Sequence, residues 1–164
     1  MSVMTDPLRV EHHALMSHMD NLRLVADRVG DVDSADTLAG VEDVYEFLVR
    51  HLLPHARAED EVLYPAVDEI IGAGATATMS RDHVEIARLV ERLGELRSVL
   101  REGTATPAVS RDLLRVLYGL HTLVLLHFAK EEECYLPLLD AGLDPASADG
   151  LFRRMSEAAV REEW

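Results

Sequence analysis

The feature that most constrains the fold is an internal repeat of histidine, acidic residues and proline. The stretch HARAEDEVLYPAV at 55–67 has a histidine, an acidic triplet that begins four residues later, and a proline ten residues after the histidine; the same arrangement returns, 72 positions later, in HFAKEEECYLPLL at 127–139. A second repeat, with an offset of 71, joins EHHAL at 11–15 to DHVEI at 82–86. Two copies of one supersecondary unit indicate two helical hairpins related by a pseudo-twofold axis.

Start and stop signals divide the chain into five helical stretches. Apolar residues recur in them every three or four positions, as in amphipathic helices, and no stretch alternates like a strand. The predicted helices cover about 6–29, 34 to the break at 72–75, 79 to about 100, 107 to about 142, and 145 to about 162. Because the connections are short, we expect an all-α, up-down-up-down four-helix bundle with a short C-terminal fifth helix.

Length and charge narrow the class of protein. The 164 residues predict a single domain over 1–164, with the bundle at about 6–140 and the C-terminal helical tail at about 144–163. A formal net charge of −14 without any run of lysine or arginine argues against a nucleic acid partner or an acidic membrane surface. No apolar run approaches the roughly 20 residues that a membrane span needs. The single cysteine, Cys134, fits a reducing, cytoplasmic compartment, and both a monomer and a homodimer stay open.

Both HxxxE pairs are expected to point into the bundle. Residues four apart lie on one face of a helix, so His55 projects with Glu59 and His127 with Glu131. The helix face that carries His127 and Glu131 also carries apolar residues, among them Val124. Buried carboxylates without positive partners cost several kcal/mol and repel one another. A metal would supply the missing charge.

The ordinary interpretation of one HxxxE is a surface ion pair. The second copy changes this, since His12 and His83 also occur at matching offsets, and four imidazoles with two carboxylates then converge from four helices. Such a mixed nitrogen and oxygen set is one that dinuclear iron prefers, although zinc and manganese are chemically compatible. His13 could replace His12, but the match of EHHAL to DHVEI favours His12.

Two tyrosines are candidates for assisting the chemistry. Tyr135 follows Glu131 by four residues, so regular helical spacing places it towards the site. Tyr64 follows Glu59 by five residues, one position beyond regular helical spacing. It reaches the site only if Pro65 distorts the turn. The remaining carboxylates around the repeats are expected to form a solvated acidic face, and Cys134 to be a buried apolar filler. Those carboxylates are Asp60, Glu61, Glu132 and Glu133.

The pattern of histidine, HxxxE, histidine and HxxxE over residues 6–140 resembles the hemerythrin-like, or HHE cation-binding, domains. The resemblance implies two iron ions with an oxo or hydroxo bridge. It implies that His12 and His55 hold one iron, that His83 and His127 hold the other, and that the two carboxylates bridge them. The bridging residues are Glu59 and Glu131.

One departure from the family pattern bears on activity. Oxygen-carrying hemerythrins have a further histidine four residues after the ligand of the third helix, and that position is Ala87 here. The resemblance therefore implies an open position on both irons and a reactive centre. It favours a diiron oxidoreductase that reacts with hydrogen peroxide or nitric oxide in a stress-protective role. The alternative is a module that binds dioxygen or nitric oxide reversibly, or senses iron, without turnover.

Overall fold

The computed structural model describes residues 4–160, which form five helices and no strand. They are α1 (Asp6–Arg28), α2 (34–71), α3 (Ala77–Arg101), α4 (Pro107–Gly142) and α5 (Pro145–Val160). The first four pack as a bundle in which α1 and α3 each contact both α2 and α4, while α5 packs across the middle of α2. The expected all-α four-helix bundle with a fifth C-terminal helix is confirmed.

Local chemistry fixes where the helices begin and end. The Asp33 carboxylate accepts a hydrogen bond from the Asp36 amide at 2.8 Å, and the Thr106 hydroxyl accepts one from the Val109 amide at 3.3 Å, so both N-termini are capped by side chains. At the end of α2, Gly72 has a φ of 116°, a conformation that glycine adopts without the strain of a side chain.

A buried polar layer divides the apolar interior. Each of the four long helices passes from one apolar cluster, through this layer, into a second cluster that α5 covers. In α1 the order is Leu15, His12 and Leu8, and in α3 it is Ile86, His83 and Met79. The apolar clusters above and below hold the backbones that carry the polar side chains.

Three wide, π-type turns interrupt the long helices, and each precedes a proline. The turns are Leu48–Leu52, Glu59–Leu63 and Glu131–Tyr135. In each turn the residue just before the proline donates its amide to the carbonyl five positions back, for example Tyr64 to Glu59. Proline has no amide and collides with a regular turn, and an added residue accommodates it. Two of these turns begin at the glutamates of the HxxxE pairs.

By length and apolar composition, α4 alone among the helices of residues 4–160 could cross a membrane. Core helices of globular proteins pass the same test. Along α4 the side chains of Leu113, Leu117 and Leu120 are fully buried within the bundle.

Candidate metal centre

The Glu59 carboxylate lies between two pairs of histidines. Its Oε1 atom is 2.9 Å from Nε2 of His55 and 3.4 Å from Nε2 of His12. Its Oε2 atom is 3.3 Å from Nε2 of His83 and 3.8 Å from Nε2 of His127. One carboxylate therefore turns one oxygen towards each pair, which is the arrangement of a bridging ligand.

Glu131 spans the same two pairs from the opposite side of the bundle. Its Oε2 atom lies 3.4 Å from Nε2 of His12, and its Oε1 atom lies 3.6 Å from Nε2 of His127. The Tyr64 hydroxyl donates a 2.7 Å hydrogen bond to the same Oε1 atom. The structure thus brings together all six side chains proposed as ligands, and each is buried. They are His12, His55, Glu59, His83, His127 and Glu131.

Three atoms of these side chains are buried and make no hydrogen bond of acceptable geometry. They are Nε2 of His55, Oε2 of Glu59 and Oε2 of Glu131. An unpartnered buried carboxylate oxygen costs free energy, so such atoms need a partner that the side chains themselves do not provide. Within residues 4–160, two groups of donor atoms are close enough to hold an ion, and Glu59 belongs to both. One group includes His12 and His55, and the other includes His83 and His127. This donor set fits two cations.

The electrostatics of the metal-free site show what a cation would replace. Burial opposes charge on His55, but the neighbouring Glu59 charge and the hydrogen bond to Glu11 outweigh it and raise the His55 pKa to about 10. Burial likewise opposes charge on His83, and its carboxylate partners raise its pKa to about 9. Burial and the charge of Glu59 raise the pKa of Glu131 well above its ordinary value. The raised pKa values favour protons on these groups, and a bound cation would offset the same negative charge.

A ring of outer carboxylates orients the four histidines. Each imidazole uses Nε2 towards the centre and Nδ1 towards a carboxylate on another helix, at 2.9–3.1 Å. The pairs are His12 with Glu132, His55 with Glu11, His83 with Asp60, and His127 with Asp82. Such partners fix the tautomer, the ring orientation and the basicity of a metal-binding imidazole.

Asp60 is exposed and Glu132 is half-buried, as a solvated face requires, but each also makes a hydrogen bond to a histidine that this expectation did not include. A sequence signal for this ring does exist, since every outer carboxylate is the immediate neighbour of an inner ligand. Glu11 and Asp82 precede His12 and His83, and the other two directly follow the bridging glutamates.

Of the two candidate tyrosines, Tyr64 faces the centre and Tyr135 does not. The Tyr64 hydroxyl lies 3.1 Å from Nε2 of His127, whereas the Tyr135 hydroxyl donates to the carbonyl of Ala75 at 3.3 Å. The expectation for Tyr135 assumed 3.6 residues per turn. The wide turn that starts at Glu131 contains one more residue than a regular turn. The residue on the same face of the helix as Glu131 is therefore five positions later, not four.

Other histidines and aromatic residues complete the surroundings. His12 is buried and His13 is exposed, so the structure turns His12 to the centre. The ring of Phe128 stacks on His12 with 4.3 Å between centroids, a contact that the sequence did not reveal. Cys134 is exposed rather than a buried filler, and Ala87 is exposed as well.

Comparisons with known proteins agree with this geometry. Residues 3–139 match the family model described as the hemerythrin HHE cation binding domain. The chain is also similar to the zinc finger protein BRUTUS of Arabidopsis thaliana, with 33% identity over 129 residues that make up 78% of this chain. The match spans about a tenth, 10%, of the length of that relative. No solved structure gives a significant match to the chain.

Proposed function

Because the chain belongs to the hemerythrin HHE cation-binding family, we propose that its buried centre holds two iron ions and reacts with hydrogen peroxide or nitric oxide. The observation that carries the proposal is the pair of glutamates, Glu59 and Glu131, each with its two oxygens divided between two pairs of imidazoles. Four nitrogen and four oxygen donors form a set that iron favours.

The chain's own residues would hold the ions in a fixed geometry. His12 and His55 would bind one ion and His83 and His127 the other, with the two glutamates between them. The outer carboxylates hold each Nε2 towards the centre before a metal arrives, so binding does not require the imidazoles to be reordered. The apolar clusters on both sides limit the access of water.

Two bound irons would supply the electrons that reduce a small oxidant. Reduction of peroxide to water consumes two protons, which solvent would supply, and Tyr64 would donate a hydrogen bond to the reacting molecule. Burial and the charges of Glu59 and Glu131 raise the pKa of Tyr64, so its phenol stays protonated and can donate a hydrogen bond. Its hydroxyl contacts both Glu131 and His127, which places it inside the ligand cluster.

Tyr64→Phe and Tyr135→Phe form a matched pair of variants for testing the proposal. The iron-loaded protein should contain two irons per chain and consume peroxide. Tyr64→Phe should lower that rate by roughly 10–100-fold without loss of iron, because a hydrogen bond to a charged group is worth about 1.5–3 kcal/mol. Tyr135→Phe removes the same hydroxyl from a tyrosine that faces Ala75 and should leave the rate unchanged.

Three results would contradict the proposal. They are a protein with no bound iron, an iron-loaded protein that is inert to both small molecules, and a reversible oxygen spectrum without oxidation. The last result would identify a binding module without turnover.

A further inference from the structure

The two halves of the centre follow the pseudo-twofold axis even in their outer hydrogen bonds. At one end of the bundle, Thr5 donates its amide and its hydroxyl to the Asp140 carboxylate, at 2.8 and 3.0 Å. At the equivalent place in the other half, Thr76 donates its amide and its hydroxyl to the Asp68 carboxylate, at 3.0 and 2.9 Å. The offsets between equivalent residues, 71 and 72, are the same here as between the proposed ligands. The two halves can therefore be compared position by position.

One equivalent pair breaks the symmetry, since Arg9 in α1 corresponds to Ser80 in α3. The Arg9 guanidinium bridges Glu132 and Asp140 and donates from Nε to the Thr5 hydroxyl at 3.2 Å. This long side chain thus fills the space between two carboxylates on the His12 side of the centre.

On the His83 side, the short side chain of Ser80 leaves the equivalent space open. Its hydroxyl donates to Asp60 at 2.6 Å and does not bridge to Asp68. A cleft of about 630 Å³ occupies this position and is lined by Asp60, Tyr64, Asp68, Thr76 and Ser80, among others. This volume is within the range of small-molecule sites.

Tyr64 lies between the cleft and the centre. The residue lines the cleft and is 2% exposed, while its hydroxyl is hydrogen-bonded to Glu131 and lies 3.1 Å from Nε2 of His127. The equivalent residue of the other half is Leu136, which is fully buried and has no polar atom in its side chain. The His83 half thus has a polar side chain, that of Tyr64, at the position where the His12 half has the apolar side chain of Leu136.

We propose that this cleft is an access route of the small molecule to the His83–His127 half, because Arg9 fills the equivalent position in the other half. A separate cleft of about 280 Å³, lined by Glu11, His55 and residues of α5, lies beside that other half. The inference rests on the proposed function and adds that the two metal positions are functionally unequal. The described residues that line the cleft include Asp60, Asp68 and Glu69 and no lysine or arginine. A negative rim disfavours anions, so neutral molecules such as nitric oxide and hydrogen peroxide are the ligands that fit.

Ser80→Arg tests the route by placing an arginine in the cleft at the position equivalent to Arg9. Asp60 and Asp68 are equivalent to Glu132 and Asp140, the two carboxylates that Arg9 contacts. The association rate of nitric oxide with the reduced, iron-loaded protein should fall by about tenfold or more, with unchanged iron content. Ser98→Arg adds the same charge at an exposed position of the same helix and should leave the rate unchanged. Equal rates for Ser80→Arg and the unmodified protein would overturn the route.

Arg9→Ser is the complementary variant and keeps the test decisive if Ser80→Arg does not fold. This variant removes the arginine side chain that fills the space, so the association rate of nitric oxide should rise. The Leu136 methyl groups should become accessible to small molecules. Relaxation enhancement by dissolved dioxygen measures this accessibility in the diamagnetic protein, either loaded with zinc or treated with a chelator. In the unmodified protein the enhancement should be larger at Tyr64 than at Leu136, and equal enhancement would overturn the inference. Since this measurement needs no iron, a failure of the access route is distinguishable from a failure of the proposed diiron function.

Discussion

Glu59 and Glu131, which we propose as bridging ligands, should behave differently when the metal is removed. The oxygens of Glu59 lie 2.9–3.8 Å from Nε2 of all four histidines. Burial would raise the Glu59 pKa, but the His55 charge and hydrogen bonds from other imidazoles hold it well below its ordinary value. Glu131 contacts two imidazoles at 3.4 and 3.6 Å, and burial with the charge of Glu59 raises its pKa. We therefore expect Glu59 to hold its charge more readily than Glu131 in the metal-free protein.

Glu59→Gln removes the charge that stabilises a buried imidazolium, most directly that of His55. Breaking a buried pair from one side costs about 3–5 kcal/mol, because it leaves an uncompensated charge in the interior. Glu131→Gln replaces a neutral carboxylic acid by a neutral amide of similar shape and should cost about 1 kcal/mol or less. For a chain of this size, about 3 kcal/mol corresponds to a decrease in Tm of roughly 6–12 °C.

The assay is urea and thermal unfolding of the chelator-treated variants at neutral pH, with metal content measured separately. Both substitutions should reduce bound metal below two ions per chain, whereas only Glu59→Gln should strongly destabilise the metal-free protein. Glu133→Gln, at an exposed position of the same wide turn as Glu131, is the matched control and should change neither quantity. Equal destabilisation by the two inner substitutions, or a larger effect of Glu131→Gln, would refute the assignment of charge.

Two further predictions concern pH and the outer carboxylates. Because the pKa values of His55 and His83 are raised from 6.5 to about 10 and about 9, their contribution to the stability of the metal-free protein is fully present below pH 6.5 and is lost as the pH rises through 9 to 10. Unfolding free energies measured across this range should show the loss in the metal-free protein. The metal-loaded protein, in which the ligand imidazoles are neutral, should not show it. Glu11→Gln should weaken metal affinity by about 10–100-fold in a competition titration, because it removes the Nδ1 partner of His55, while His13→Ala on the exposed face should have no effect.

The repeat in the sequence was sufficient to predict the bundle and the convergence of the six inner side chains. Duplicated spacing places equivalent residues at equivalent depths, and apolar periodicity assigns the face, so His55 and Glu59 could be oriented without coordinates. The hydrogen bonds between each histidine and an outer carboxylate on another helix could not be predicted in the same way. His12 pairs with Glu132, which lies 120 residues away, and only the packing of α1 against α4 brings the two together.

Backbone irregularity explains the remaining differences. The prolines at 65 and 137 are visible in the sequence, but the structural response could be a kink, a break or an added residue. The added residue, in the turns Glu59–Leu63 and Glu131–Tyr135, turns Tyr64 inward and Tyr135 away. A one-residue change of register is beyond what periodicity resolves, although it decides which tyrosine meets the ligands.

Anomalous diffraction at the iron edge, from crystals of the iron-loaded protein, locates the metal ions themselves. We expect two peaks between Glu59 and Glu131, one beside His12 and His55 and the other beside His83 and His127. A single peak, peaks elsewhere in the molecule, or a centre without iron would show that these six side chains do not hold a diiron centre.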